Sequence, residues 1–269
     1  MNDNAKVFSL IEMREMMIDT SGYQMMEEVG EFTGTLEMKA QDKENLPTSE
    51  TITVFTPEEI KIFKDEAFST FSNGKRKYQQ VAAYILMLNT GLRTGEVLGL
   101  LNSDIDLENR VMHLNRGVKE ISKRDGVTAE KGREVKVGKL KSATSKRDVP
   151  LNDTAIEMIL DLRKEFYFGE DSPLIPNENG NFTRPVNFRK RYYRILKVAG
   201  IETKGLHSLR HTFATNLVNG IKQPDGTIKS LTPRRVADLL GHTTSEITEL
   251  YYVKKDLTKL NGVTDGFEF

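Results

Sequence analysis

The chain has no cysteine and no tryptophan. Without cysteine it has no disulfide, no thiol nucleophile and no thiolate-bound zinc. Long hydrophobic runs are also missing. The longest, Val81 to Leu88, holds eight residues, where a bilayer span needs roughly 20. The first residues, MNDNAKVFSL, have no basic stretch followed by an apolar core, so no secretory signal is visible. A soluble cytoplasmic protein is expected. Net charge is lacking as well: 39 Lys plus Arg balance 39 Asp plus Glu. At face value that argues against a polyanionic partner. The field at a surface, however, depends on where the charges sit.

What is present is 269 residues with 38% hydrophobic and 29% charged content. That is enough to bury a core, and the length suits one large domain or two small ones at about 150 residues each. The charges are unevenly spread. Residues 1–50 hold eleven acidic and four basic residues, a net of −7. Arg110 to Pro150 has twelve basic and five acidic residues, +7, and Arg184 to Lys204 has seven and one, +6. A single basic run is usually a solvated face, but two dense runs in one chain make a nucleic-acid surface the better explanation.

Two parts are expected: an acidic leader with linker over 1–50, and a main domain over 51–269 with a tail from about 254. The leader carries Met13, Met16, Met17, Met25 and Met26 among acids, and KAQDKENLPTSE (39–50) reads as linker. Thr56-Pro57-Glu58-Glu59 opens a helix with a capping box and Pro at the first position. Ile60, Phe63, Ala67, Phe68 and Phe71 would mark one face of it. Tyr78 to Asn89 is apolar nearly all round, which predicts a buried central helix ended by Gly91. Thr94 can cap a short helix carrying Val97, Leu98 and Leu101 inward. Segments 110–117, 133–140 and 147–151 predict one small antiparallel sheet. Helices follow over 153–166, 187–199, 208–219 and from Thr232-Pro233 to Gly241, then a short one near 245–252. Between 220 and 232, Pro224-Asp225-Gly226 forms a turn. The fold class is mainly α with a small antiparallel β-sheet.

Three local patterns carry chemistry: Thr90-Gly91-Leu92-Arg93-Thr94-Gly95-Glu96, His207-Ser208-Leu209-Arg210-His211, and Leu240-Gly241-His242 with Tyr251 nine residues on. Each alone is weak, but their order and spacing together are specific. They resemble the catalytic domain of the tyrosine recombinases, the phage-integrase type of site-specific DNA recombinase. That family has a T-G-L-R-x-x-E box, a Lys on a β-hairpin, an H-x-L-R-H box, an L-G-H box and a Tyr nine residues after the last His. All five stand here in that order over about 52–262. The Lys is matched by Lys141, six residues before Arg147 in R-x-x-P-L, with Lys139 and Lys146 as competing choices.

The resemblance implies a tyrosine-recombinase catalytic-domain fold and a metal-free, ATP-free transesterase. The chemistry agrees with it. A phosphodiester under attack gathers negative charge, so fixed cations are the main requirement, and the planar fork of Arg holds two phosphate oxygens. By resemblance, Arg93 and Arg210 clamp the scissile phosphate, His242 donates a further hydrogen bond, and His207 moves a proton on the tyrosine side. Tyr251 is then the nucleophile that forms a 3′-phosphotyrosine, and Lys141 protonates the departing 5′ oxygen. Tyr252 is the alternative nucleophile. Glu96, one turn after Arg93, reads as a buried partner orienting the box, with a catalytic base as the alternative, and His211 and His113 read as structural residues. No carboxylate cluster suited to Mg²⁺ and no phosphate-binding G-x-x-x-x-G-K-[ST] loop is present, so no cofactor is expected.

The helix 187–199 puts Phe188, Tyr192, Ile195, Leu196 and Ala199 on one side and Arg189, Lys190, Arg191, Arg194 and Lys197 on the rest. The basic set reads as contacts to the DNA backbone, with Arg234 and Arg235 as further candidates. The implied partners are double-stranded recombination sites and further copies of the chain, a tetramer on DNA, with no membrane. The expected role is integration, excision or inversion of a mobile element. The tail residues Leu257, Leu260, Phe267 and Phe269 would dock on a neighbouring subunit or on their own core. Family members usually carry a helical core-binding domain ahead of the catalytic one. Here only the acidic 1–50 precedes it, which points to truncation or reduction, with self-masking or partner contact as roles for the leader. Three rivals remain. They are a catalytically silent DNA-binding regulator of the same fold, a single-subunit topoisomerase, and a metal-dependent nuclease built on His207, His211 and His242.

Overall fold

The computed structural model describes residues 53–122, 133–140, 146–222 and 225–241. The leader, Lys141, His242, Tyr251, Tyr252 and the tail lie outside the described residues.

Helix α1, Pro57–Ala67, starts as the sequence predicts. The Thr56 side chain accepts from the Glu59 N–H at 3.1 Å, and the Glu59 carboxylate accepts from the Thr56 N–H at 2.9 Å. The helix stops earlier than its apolar spacing suggests. Phe68 is its C-cap, and Phe71 is 54% exposed in a tight loop around Gly74 (φ +77°). Helix α2, Ala82–Thr90, is buried on every side from Ala82 to Met87. It begins four residues later than expected. Gln80 is held in the left-handed region (φ +56°), its N–H taken by both oxygens of Glu165 at 3.0 and 2.8 Å, and that bars helix at 80.

Helix α3, Thr94–Gly99, leads through a short 3-10 turn, Asn102–Asp104, into the strands. These are β1 (Ile105–Asp106), β2 (Val111–Leu114), β3 (Arg116–Ser122), β4 (Arg133–Lys139) and β5 (Arg147–Pro150). The single expected sheet is in fact two. The chain breaks at Asn115, so β2 joins a three-stranded antiparallel sheet in the order β1-β2-β5, while β3 pairs only with β4 in a separate hairpin. The Asn115 amide donates to Asp104 at 3.1 Å and anchors that corner to the 3-10 turn.

Four helices complete the described fold: α4 (Asp153–Glu165), α5 (Pro185–Val198), α6 (His207–Asn219) and α7 (Pro233–Leu240). A small hairpin, β6 (Ile221–Lys222) with β7 (Ile228–Lys229), links α6 to α7. Helix α2 is the central post and packs against α4 and α6. Around it Phe63, Tyr84, Phe188 and Tyr192 interlock with ring centroids 4.4–6.1 Å apart. The Tyr84 hydroxyl donates to the Phe188 carbonyl at 2.8 Å, so this aromatic core leaves no stranded O–H. The structure is mainly helical with small antiparallel sheets, as its apolar periodicity predicts. Among the described residues, no helix is long and apolar enough to cross a membrane.

Candidate active site

The T-G-L-R box is shaped by its glycines. Gly91 caps α2 in the left-handed conformation (φ +66°). A Cβ there would stand 2.5 Å from Phe213 of α6 and 2.7 Å from Leu240 of α7, so three helices can meet only because the side chain is absent. Gly95 and Gly99 lie one turn apart on α3. A Cβ at either would come within 2.9 Å of the Val118 carbonyl or 2.8 Å of the Arg116 carbonyl. These two glycines let β3 lie directly on α3. The hairpin whose β4 strand ends two residues before Lys141 is thereby seated on the helix that follows Arg93.

Arg93, rather than Thr94, occupies the cap position of α3. A threonine cap is unnecessary, because Glu96 reaches back. Its Oε2 accepts from the Arg93 N–H at 2.9 Å and its Oε1 from Arg93 Nη1 at 2.9 Å. A second guanidinium meets the same carboxylate from β5. Arg147 Nη1 and Nη2 donate to Oε1 and Oε2 of Glu96 at 3.1 and 3.2 Å, and Arg147 Nε donates to the Leu239 carbonyl at 2.8 Å. Glu96 is 3% exposed. Burial alone would raise its pKa, but Arg147, Arg93 and the more distant Arg210 outweigh that and hold it at about 2.

Arg210 is 1% exposed in α6. Its Nη1 donates to the Gly91 carbonyl and its Nη2 to the Leu240 carbonyl, both at 2.8 Å. Two guanidinium groups thus bind one carboxylate and a third acts on it from further off, leaving positive charge in excess around a partly buried point. Such a point attracts an anion with more than one oxygen. His207, the first residue of α6, is exposed. Its ring stands edge-on to that of His211, with centroids 4.6 Å apart. His211 is half-buried, and burial first, then the charge of Arg210, lowers its pKa to about 4, which keeps it neutral near pH 7. His113 lies on β2, bonded through Nδ1 to Asp148 at 2.8 Å. No group of three or more metal-ligating side chains forms among the described residues.

Arg93, Glu96 and Arg210 therefore converge, with His207 on the same helix as Arg210. Lys141, His242 and Tyr251 fall outside the described residues, although β4, β5 and α7 lead to them. The basic set on α5 divides. Arg191 turns inward and donates to Gln80 Oε1 at 2.9 Å, and Arg194 lies over the Tyr78 ring at 5.9 Å. Lys190 and Lys197 are exposed. The structure thus gives Arg191 a packing role that its place in a basic run conceals. Arg147 is the residue that sequence reasoning passed over. In the sequence it is only a register mark. Its one signal is that a basic residue opens a short strand that pairs at the edge of the sheet.

Known structures share this fold. The Tn1549 transposon integrase in complex with circular intermediate DNA matches with a TM-score of 0.62 at 19% identity, over 83% of this chain and 69% of that one. The XerA recombinase matches with a TM-score of 0.53 at 20% identity, over 84% and 67%. The fold is that of a tyrosine-recombinase catalytic domain. In sequence, the phage integrase family profile matches residues 54–257, and the chain belongs to that family. A XerC-like tyrosine recombinase of Caldanaerobacter subterraneus subsp. tengcongensis is 30% identical over 217 residues, 73% of this chain and 52% of the relative. The transposase of transposon Tn916 from Enterococcus faecalis is 26% identical over 219 residues, 74% of this chain and 47% of the relative. The chain spans about half the length of the curated relatives it matches.

Proposed function

We propose that this chain is a site-specific recombinase that cuts and rejoins DNA for the integration or excision of a mobile element. The observation that carries the reading is the buried Glu96 held between Arg93 and Arg147, beside Arg210. It presents fixed cations on elements that lead directly to the remaining family motifs. The likeness to a transposon transposase and to integrases supports the mobile-element role.

In this mechanism Arg93 and Arg210 hold the non-bridging oxygens of the scissile phosphate. Tyr251 Oη attacks phosphorus, the O–P bond of a 3′-phosphotyrosine forms, and the P–O5′ bond breaks. The tyrosine proton leaves toward the His207 side, and Lys141 protonates the departing 5′ oxygen. The reverse attack by a partner strand's 5′ hydroxyl restores the backbone and frees Tyr251. The bond energy is kept throughout, so no nucleotide cofactor enters. Arg189, Lys190, Arg194 and Lys197 contribute contacts to the DNA backbone, and four copies act on two duplexes in the cytoplasm.

The test uses a pool of nicked duplexes with randomised sequence around the nick, incubated with the full chain in EDTA and resolved by denaturing electrophoresis. A protein–DNA adduct that disappears in Tyr251→Phe supports the reading. An adduct that survives in Tyr251→Phe moves the nucleophile to Tyr252 or elsewhere. DNA retention on native gels without any adduct means a silent DNA-binding protein.

A further inference from the structure

Arg147 uses all three of its guanidinium nitrogens. Two bracket the Glu96 carboxylate and the third holds the Leu239 carbonyl. Both side chains of the pair are nearly sealed from water, 8% and 4% exposed. In that setting a forked, planar contact fixes orientation in a way that an exposed ion pair does not.

The two ends of this contact lead to different motifs. Glu96 Oε1 is shared between Arg147 Nη1 and Arg93 Nη1, so the plane of the carboxylate set by Arg147 also sets the direction of the Arg93 guanidinium. Leu239 lies in the last turn of α7, three residues before His242. Arg147 itself opens β5, six residues after Lys141. One side chain therefore ties together the helix after Arg93, the helix before His242 and the chain after Lys141.

We infer that Arg147 is a positioning residue for DNA strand transfer, fixing Arg93 through Glu96 and the carbonyl end of α7 that runs into His242. This rests on the recombinase reading above. It also sets a pH dependence. The charged groups acting on Glu96 are Arg147, Arg93 and Arg210. With Arg147 present, the carboxyl stays ionised wherever cleavage can be assayed. Without it, the cation that lowers the carboxyl most is gone and Arg93 and Arg210 remain, while burial still favours the protonated form.

The experiment compares wild type, Arg147→Gln and Arg147→Lys on a duplex trapped from the randomised pool. It reads single-turnover cleavage, native-gel retention and the pH dependence of the ratio of variant to wild-type rate. Misaiming a catalytic cation by about 1 Å costs about 100-fold, so Arg147→Gln should cleave about 100-fold more slowly while still retaining DNA. Its rate relative to wild type should fall further as pH is lowered. Arg147→Lys keeps the charge but its single nitrogen cannot bracket the carboxylate and reach the Leu239 carbonyl in the geometry of the planar fork, so it should also be slow, with a flat ratio. Wild-type rates in Arg147→Gln overturn the inference. So does a flat ratio in Arg147→Gln, which would mark a packing role only, and so does full recovery in Arg147→Lys, which would mark a need for charge without the fork. If Arg147→Gln does not fold, Arg147→Lys decides: slow cleavage with retained DNA supports the inference and a wild-type rate overturns it. A wild type that never cleaves sinks the recombinase reading and this one with it. That outcome differs from a cleaving wild type matched by its variants.

Discussion

Arg210 donates from Nη1 to the carbonyl of Gly91 at 2.8 Å, so one hydrogen bond joins two motifs 119 residues apart. The other arm of the same guanidinium reaches the Leu240 carbonyl. Both acceptors sit at helix C-termini, Gly91 capping α2 and Leu240 closing α7, where the backbone dipoles favour a cation. The fork is therefore the clasp between the ends of two helices. Lysine cannot span both carbonyls, and a buried carbonyl left unpaired costs about 1–3 kcal/mol. Arg210→Lys should lower stability by about that amount in chemical denaturation and abolish the covalent adduct. An unchanged unfolding midpoint would show that the clasp contributes nothing.

Gly91→Ala should be more damaging than its size suggests. A left-handed φ of +66° strains any L side chain, and the new methyl would lie 2.5 Å from Phe213 and 2.7 Å from Leu240. Strain of about 1 kcal/mol adds to overpacking of about 1–3 kcal/mol. The loss should appear as a lower midpoint in urea. Gly74→Ala is the control, since its φ is also positive (+77°) but nothing lies within 4 Å. Equal losses in the two variants would mean that the three-helix approach is not tight.

The buried carboxylate gives a pH signature. Glu96 titrates at about 2 when folded, against an ordinary value of 4.5. A depressed folded pKa adds stability above the unfolded value and loses it as pH falls through the folded one. The stability difference between wild type and Glu96→Gln should therefore be largest above pH about 4.5, on the order of 3 kcal/mol, and shrink toward pH 2. Denaturation of both proteins across that range tests it, and a difference independent of pH would remove the charge-based account.

Much of this centre was legible in the sequence because local rules and motif spacing agreed there. The box at Thr56 to Glu59, the glycine ends of α2 and α7, and the pairing of Glu96 with Arg93 follow from spacings of three or four residues. What stayed hidden depends on contacts across long stretches of chain. Asn115 breaks what reads as one strand because Asp104 takes its amide. Gln80 is held out of a helix by Glu165, 85 residues away. Arg147 gains its meaning only when β5 folds beside α3 and α7. Arg191 sits in a basic run, yet turns to Gln80.

His211 should make the fold acid-sensitive. Its folded pKa is lowered to about 4 from 6.5, by burial and then by Arg210. The unfolded chain then binds a proton that the folded one refuses, so stability should fall as pH drops from 6.5 toward 4. His211→Asn removes that term. The variant should lose less stability than wild type over this interval, by about 1–3 kcal/mol. Parallel losses in the two proteins would assign the acid sensitivity to other groups.

The basic helix α5 carries both exposed and packed cations. Lys190 and Lys197 are exposed, while Arg191 is half-buried and bonded to Gln80, which also donates to the Thr183 hydroxyl at 3.3 Å. Each lost phosphate contact should reduce the salt dependence of DNA retention by about one unit of slope in log–log form. Lys190→Ala with Lys197→Ala should therefore weaken retention at low salt, flatten that slope and leave thermal stability unchanged. Arg191→Ala should do the reverse, lowering stability by about 1–3 kcal/mol as Gln80 Oε1 loses its charged donor and keeps only the Thr183 hydroxyl at 3.4 Å, with little change of slope. Titrations of the same duplex at several salt concentrations, beside melting curves, distinguish the two outcomes. If all three substitutions act alike on the slope, the inward turn of Arg191 is lost when DNA binds, and α5 contacts the backbone along its whole basic face.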